Sequence, residues 1–213
     1  MQQNSRSLPW AWSRLPQTFV TSAYSYSKRL LDILSSSLGL MLLGLLIPFI
    51  WLANRLFAPG PLFYRQTRVG LHGRHFTILK LRSMIVMAER NGVVWTVEGD
   101  SRITGVGRFL RQTHLDELPQ CWNILKGEMS LIGPRPERPE FVPMLAERIE
   151  GYTKRHVVKP GLTGWAQVNF EYGDSVKDAQ IKLKYDLEYI ARQSWWIDGV
   201  IILRTFGVIL KGR

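Results

Sequence analysis

Cysteine is almost missing from this sequence. Cys121 stands alone among 213 residues, so the chain can close no internal disulfide and holds no CxxC pair for zinc. That usage fits a reducing compartment, and with no catalytic motif around it Cys121 reads as a packed core thiol. Also missing are the GxxxxGKS/T phosphate loop, the GxGxxG fingerprint and HExxH, which excludes the usual soluble nucleotide-binding and zinc chemistries. No internal repeat occurs. Acidic residues are scarce beside basic ones, 17 against 28, for a net charge of +11. Such an excess implies an anionic partner: nucleic acid, an anionic lipid surface or phosphorylated substrates. A nucleic-acid reading finds no recognition motif and leaves the longest apolar run without a purpose.

That run, Leu31 to Ala53, is the most prominent feature present. Asp32 is its one charge, and from Leu38 onward it is apolar apart from glycine. As a helix the segment from Leu38 measures about 24 Å, short of the ~30 Å hydrocarbon core, whereas the length from Leu31 is sufficient but places Asp32 and Ser35 to Ser37 at bilayer depth. A signal peptide would need a small-residue cleavage site, and none follows. A buried soluble helix would need protein on every side. A membrane element remains the favoured reading. Lys28 and Arg29 precede it, and Arg55, Arg65 and Arg68 follow it, so charge bias gives no direction for a single crossing. A helix kinked at Pro48 that enters and leaves by one leaflet would put both basic flanks on the same anionic surface.

The expected fold class is α+β: a mainly helical, membrane-associated catalytic domain with a small β-hairpin and an N-terminal re-entrant, proline-kinked membrane helix. Residues 1–27, with Trp10 and Trp12, form an interfacial arm; residues 28–58 the membrane helix; residues 59–213 the catalytic domain with membrane-associated amphipathic helices. Pro59-Gly60-Pro61 ends the first helix. The segments LFYRQTRVG and HFTILKLRSM, joined at Gly70 to Gly73, predict a hairpin with Lys80 and Arg82 on one side, either as ligand contacts or as an ordinary solvated face. A short helix is predicted over Met84 to Arg90, then a turn-rich loop. Arg108 to Leu125 reads as helical until Pro119 breaks it. Another helical stretch runs from Val142 to Arg155, and VVKPGLTGWAQV reads as a Pro/Gly-punctuated loop. The tail has helical spacing, and Trp195 to Leu210 is either core or a helix lying in the interface plane.

Chemistry concentrates in Arg108, Arg111, His114, Asp116 and Glu117. On a helix, Asp116 and Glu117 would approach a shared ion from different directions; the alternative is a solvated face laced by ion pairs. The stiff loop Gly133-Pro134-Arg135-Pro136-Glu137-Arg138 adds two guanidinium forks that match phosphate oxygens. Arginines, paired carboxylates and an anchored membrane helix are what transfer between a nucleotide diphosphate and a lipid phosphate requires.

With these blocks in view the chain resembles the bacterial sugar transferases that prime glycan assembly, the monotopic polyprenyl-phosphate phosphoglycosyl transferases. The resemblance runs from Lys28 to the C-terminus. It is carried by KRLLD, the apolar helix with Pro48, PLFYRQTRVG, FTILKLRSM, the long block from Thr104 to Phe141, KPGLTGWAQVN and KYDLEYI. Family members commonly carry a preceding bundle of membrane spans, so this chain is expected to be a minimal catalytic form. The resemblance implies Asp116 as nucleophile on the β-phosphate of a UDP-sugar, with UMP released and undecaprenyl phosphate then displacing the aspartate. It implies Mg2+ held by Asp116 and Glu117, and phosphate contacts from Arg111, Lys80, Arg82, Arg135 and Arg138, with Asp186 binding an arginine or the nucleotide. His114 would lie near the site without serving as a base. Gly161 to Phe170 is the candidate sugar loop. The implied partners are a UDP-sugar, undecaprenyl phosphate and the lipid bilayer, with no nucleic acid and room for a homodimer. The implied location is the bacterial inner membrane, catalytic domain on the cytoplasmic face.

Overall fold

The computed structural model describes residues 22–90, 92–97, 99–170, 173 and 175–210. Residues 1–21, most of the expected interfacial arm, lie outside them. The first helix, α1, spans Ser22–Phe57, so helix begins six residues before the expected boundary. Ser35 and Ser36 do not interrupt it, because each hydroxyl donates back to the carbonyl four residues earlier, Leu31 and Asp32, at 2.7 and 2.5 Å. Helical hydrogen bonding continues on both sides of Pro48. Its buried residues, Tyr24, Asp32, Ser36, Leu43, Ile50 and Asn54, fall at helical intervals and form one stripe. The other faces carry exposed Leu34, Leu38, Met41, Leu45 and Phe49. Its most apolar window has a mean hydropathy of 2.2 yet is only 17% buried, the reverse of a soluble core helix.

Polar contacts fasten α1 at several levels. Near its start, Tyr24 and Lys28 both donate to Asp198, each at 2.9 Å. Arg29 donates to the carbonyls of Ile124 and Leu125 at 2.6 Å. Asp32 is 3% exposed and accepts from Ser130 Oγ at 2.9 Å and the Leu131 N–H at 2.7 Å. A buried carboxylate persists where donors converge on it, and these come from a strand almost one hundred residues away. At the far end, Asn54 and the Ala58 carbonyl bind the Arg82 guanidinium.

The expected hairpin is present. Strands β1 (Phe63–Val69) and β2 (His75–Leu81) pair antiparallel from Phe63↔Leu81 to Val69↔His75. The predicted helix from Met84 to Arg90 is not: Met84 bridges Ile103, the Ile85 N–H bonds to the Arg102 carbonyl, and Met87 turns the chain with φ 61°. Extended pairing there outcompetes helix, which the β-branched Ile85 and Val86 disfavour. Helix α2 (Gly105–Gln112) packs so closely that a Cβ on Gly107 would lie 1.8 Å from the Ser83 carbonyl oxygen, which only glycine permits.

The expected helix over Arg108 to Leu125 breaks earlier than Pro119. His114 adopts a left-handed conformation, φ 56°, and a 3₁₀ turn over Leu115–Gln120 leads into α3 (Cys121–Lys126). Cys121 is a core thiol as expected, facing Gly39 of α1. Strand β3 (Ser130–Ile132) pairs in parallel with β4 (Gly161–Thr163), where a loop was predicted, and α5 (Trp165–Asn169) follows. The stretch from Val142 divides into α4 (Val142–Arg148) and a 3₁₀ turn over Tyr152–Val157, separated at Gly151 with φ 72°. Helices α6 (Val176–Arg192) and α7 (Trp195–Leu210) complete the chain, with Leu183, Leu187, Tyr189 and Ile201 packed against Ile132, Leu145 and Tyr152. One face of α7 is therefore core, while Trp196, Leu203 and Leu210 stay exposed.

Candidate active site

The 3₁₀ turn after His114 sets Asp116 and Glu117 at the first positions where the chain turns in beneath the hairpin. Both carboxylates are largely withdrawn from solvent, Asp116 at 6% exposure and the Glu117 side chain at 13%. Two cations from separate elements converge on Glu117. Lys80 of β2 reaches its Oε1 at 2.7 Å, and the Arg135 guanidinium contacts Oε1 at 2.5 Å and Oε2 at 3.2 Å. No ion pair among the described residues engages Asp116.

This division of partners separates the carboxyls electrostatically. Burial, with Glu117 alongside, raises the Asp116 pKa from its ordinary value, while Lys80, Arg111 and Arg135 pull against that rise. Glu117 is desolvated too, but Arg135 and Lys80 outweigh the burial and hold it well below its ordinary value. Adjacent carboxyls pushed in opposite directions are equipped for different tasks.

Arg111 sits on the last turn of α2, where its Nε donates to Ser83 Oγ at 2.9 Å. The GPRP loop is fixed from behind. A Cβ on Gly133 would lie 2.4 Å from the Lys159 carbonyl oxygen, so this loop packs directly on the chain leading to β4. Arg155, 7% exposed, donates to the Arg135 carbonyl at 2.8 Å, to Tyr152 Oη at 2.8 Å and to Asp186 at 3.0 Å. Asp186 thus meets an arginine and stands one link behind Arg135.

The other expected phosphate ligands are directed elsewhere. Arg82 ties the end of α1 to the hairpin through Asn54, Ala58 and Pro61. Arg138 forms a two-toothed pair with Glu89 at 2.5 and 3.1 Å. Neither touches the dyad. Sequence reasoning overlooked Arg68, whose guanidinium bonds the Pro136 carbonyl at 3.0 Å beside the same loop, and whose pKa burial lowers to about 10. It also overlooked Arg155, read only as the end of the helical stretch from Val142. Among the described residues no three His, Cys, Asp or Glu side chains gather as a metal cage.

Comparison with known proteins places the chain in a family. The family profile described as Bacterial sugar transferase matches residues 23–212. The chain belongs to the bacterial sugar transferase family. It is 42% identical over 189 residues to the UDP-N-acetylgalactosamine-undecaprenyl-phosphate N-acetylgalactosaminephosphotransferase of Aeromonas hydrophila, covering 89% of this chain and 45% of that protein. It is 44% identical over 187 residues to the UDP-glucose:undecaprenyl-phosphate glucose-1-phosphate transferase of Escherichia coli K12, covering 87% and 40%. A transferase of the same name in Caulobacter vibrioides is 41% identical over 190 residues, covering 88% and 71%. The chain thus spans under half the length of the first two relatives, and the sugar transferase family resemblance expected from its motifs is established over nearly all its length.

Proposed function

We propose that this chain transfers a sugar 1-phosphate from a UDP-sugar to undecaprenyl phosphate, releasing UMP through an aspartyl-phosphosugar intermediate, and so initiates a bacterial surface glycan. The observation that carries the reading is the contrast within the dyad: Glu117 is clamped by Lys80 and Arg135, while its neighbour Asp116 is buried and, among the described residues, outside any ion pair. A carboxylate that no guanidinium or ammonium grips directly keeps an oxygen open toward phosphorus.

In the first step an Asp116 carboxylate oxygen bonds to the β-phosphorus, the bond from that phosphorus to the bridging oxygen breaks, and UMP departs with the electron pair. In the second, an oxygen of undecaprenyl phosphate bonds to the same phosphorus and displaces the Asp116 carboxylate, leaving a lipid-linked diphospho-sugar. Arg111 and Arg135 hold the phosphate oxygens, and Lys80 fixes Glu117. Asp116 and Glu117 supply hard oxygen donors that suit Mg2+, which takes one or two carboxylates and completes its shell with substrate phosphates and water. When bound, Mg2+ offsets the charge gathering on the diphosphate. Arg82 and Arg138 fall outside this scheme, and Asp186 enters it through Arg155.

The fastening of α1 supports the one-leaflet reading of the helix. Contacts at Lys28 and at Asn54 both reach the same domain, so that domain lies beside the helix along most of its length. A straight crossing would draw the charged groups of the domain fastened along α1 into hydrocarbon, where charge is expensive. One-leaflet entry in the inner membrane, with the domain on the cytoplasmic face, keeps them at headgroup level. Cysteines introduced at Ser7 and Lys126 should react from the same side of the membrane; labelling from opposite sides rejects this topology. The activity is tested by incubating detergent-solubilised protein with magnesium, undecaprenyl phosphate and a panel headed by UDP-glucose and UDP-N-acetylgalactosamine. Lipid-dependent UMP release is the predicted outcome, and its absence with every donor contradicts the proposal.

A further inference from the structure

The loop that carries Arg135 has a backbone poor in donors. Pro134 and Pro136 have no N–H, so its carbonyls outnumber its own donors and the loop cannot satisfy itself. Four successive carbonyls are met from outside instead, by three separate elements. The Gly161 N–H of β4 bonds Pro134 at 2.9 Å, and Arg155 of the 3₁₀ turn bonds Arg135 at 2.8 Å. From β1, Arg68 bonds Pro136 at 3.0 Å and the Val69 N–H bonds Glu137 at 2.9 Å. The first pair fixes the peptide planes on either side of Arg135. The second pair sets how far the hairpin stands from the loop.

That spacing matters because hairpin and loop share one carboxylate oxygen. Lys80 of β2 and Arg135 both meet Glu117 Oε1, at 2.7 and 2.5 Å. In the hairpin register Arg68 stands opposite Phe76, and Lys80 opposite Tyr64. Arg68 and Lys80 therefore occupy the same face, about 13 Å apart along the strands. One paired ribbon presents Lys80 to the glutamate and Arg68 to the loop that brings Arg135. The Arg68 side chain is 17% exposed and steadied on both sides: Nη2 donates to Gln66 Oε1 at 2.5 Å, and Glu137 lies 3.6 Å from Nη1. The Glu137 charge offsets the repulsion between Arg68 and Arg135. Among the described residues Arg68 Nε has no partner, so the η nitrogens carry the attachment, and no bond from Arg68 reaches Asp116 or Glu117.

We propose that Arg68 is a positioning residue, holding the Pro136 carbonyl so that Arg135 meets Glu117 and the donor diphosphate in register with Lys80. The role rests on the UDP-sugar reading given above.

The test measures UMP release by the full, detergent-solubilised chain with magnesium, undecaprenyl phosphate and the donor it turns over fastest. Arg68→Met keeps the length of the stem and removes the fork. It should lower kcat/KM by about tenfold or more, as a small displacement at a reacting centre does. Arg65→Met removes the same charge from an exposed position on the other face of β1 and should stay within about twofold of the parent chain. In a chain already carrying Arg135→Lys, adding Arg68→Met should cost little more, because the group it positions has lost its fork. Thermal unfolding is recorded for every variant, and activity is assayed well below the lowest transition. Should Arg68→Met not fold, Arg68→Lys takes its place in the same cycle. Parent-like kcat/KM on losing Arg68, additive losses in the double variant, or an equal loss in Arg65→Met overturns this role and leaves the donor reading standing. A parent chain that releases no UMP from any donor removes the donor reading and this role together.

Discussion

Arg135 grips Glu117 with both guanidinium nitrogens, at 2.5 and 3.2 Å, while its own carbonyl is held from behind by Arg155. The arginine is thereby fixed at two points, side chain and backbone, before any phosphate arrives. Preorganised charge of this kind needs no rearrangement when the reaction begins.

The rear support should be measurable. Arg155→Lys keeps the charge but loses the fork that joins Asp186, Tyr152 and the Arg135 carbonyl. It is expected to lower kcat/KM by up to about a hundredfold, the scale of a small misplacement at a reacting centre. Asp186→Asn should act through the same link, so the double variant loses little beyond the worse single one. Fully additive losses would show two independent roles and contradict the relay.

The opposed carboxyl pKa values predict a direction for the pH profile. Asp116 attacks ionised, so kcat/KM rises with pH as its raised group loses a proton and falls as pH drops through that value. Glu117→Gln removes the neighbouring negative charge and frees Lys80 and Arg135 to favour the Asp116 carboxylate. The acid limb should shift to lower pH even though the plateau falls. A limb that stays in place or moves upward contradicts the division of roles.

At the base of α1, Lys28 and Asp198 form a buried pair at 2.9 Å, joined by the Tyr24 and Tyr189 hydroxyls. Asp198→Asn leaves the ammonium uncompensated and should destabilise the fold by about 3–5 kcal/mol. Tyr24→Phe removes one neutral donor and should cost about 1 kcal/mol. Thermal unfolding in detergent ranks the two, and equal shifts would show that charge burial is not what holds the helix base.

Much of this was legible in the sequence where signals are local. Alternation around Gly70 to Gly73 located the hairpin, and the apolar run from Leu38 located the long helix. The dyad and Arg135 came from motif blocks and do meet in space. What escaped depends on contacts distant in sequence. The partners of Asp32 lie at Ser130 and Leu131, and that of Lys28 at Asp198, each far along the chain. The left-handed residue that sets the dyad on a 3₁₀ turn is a histidine, which carries no glycine-like warning. Strands β3 and β4 have three residues each, too few for alternation to register. Arg82 and Arg138 share the composition of phosphate ligands, but their partners, Asn54 and Glu89, could be found only in the fold.

The most direct test of the central claim supplies a UDP-sugar labelled at the β-phosphate, with magnesium and no lipid acceptor, and quenches after a single turnover. Label should appear on the chain in proportion to UMP released, map to the peptide containing Asp116, and vanish in Asp116→Asn, whose turnover falls by roughly three orders of magnitude or more. UMP release that begins only when undecaprenyl phosphate is added, with no labelled chain at any time, would mean direct attack by the lipid and would contradict the account.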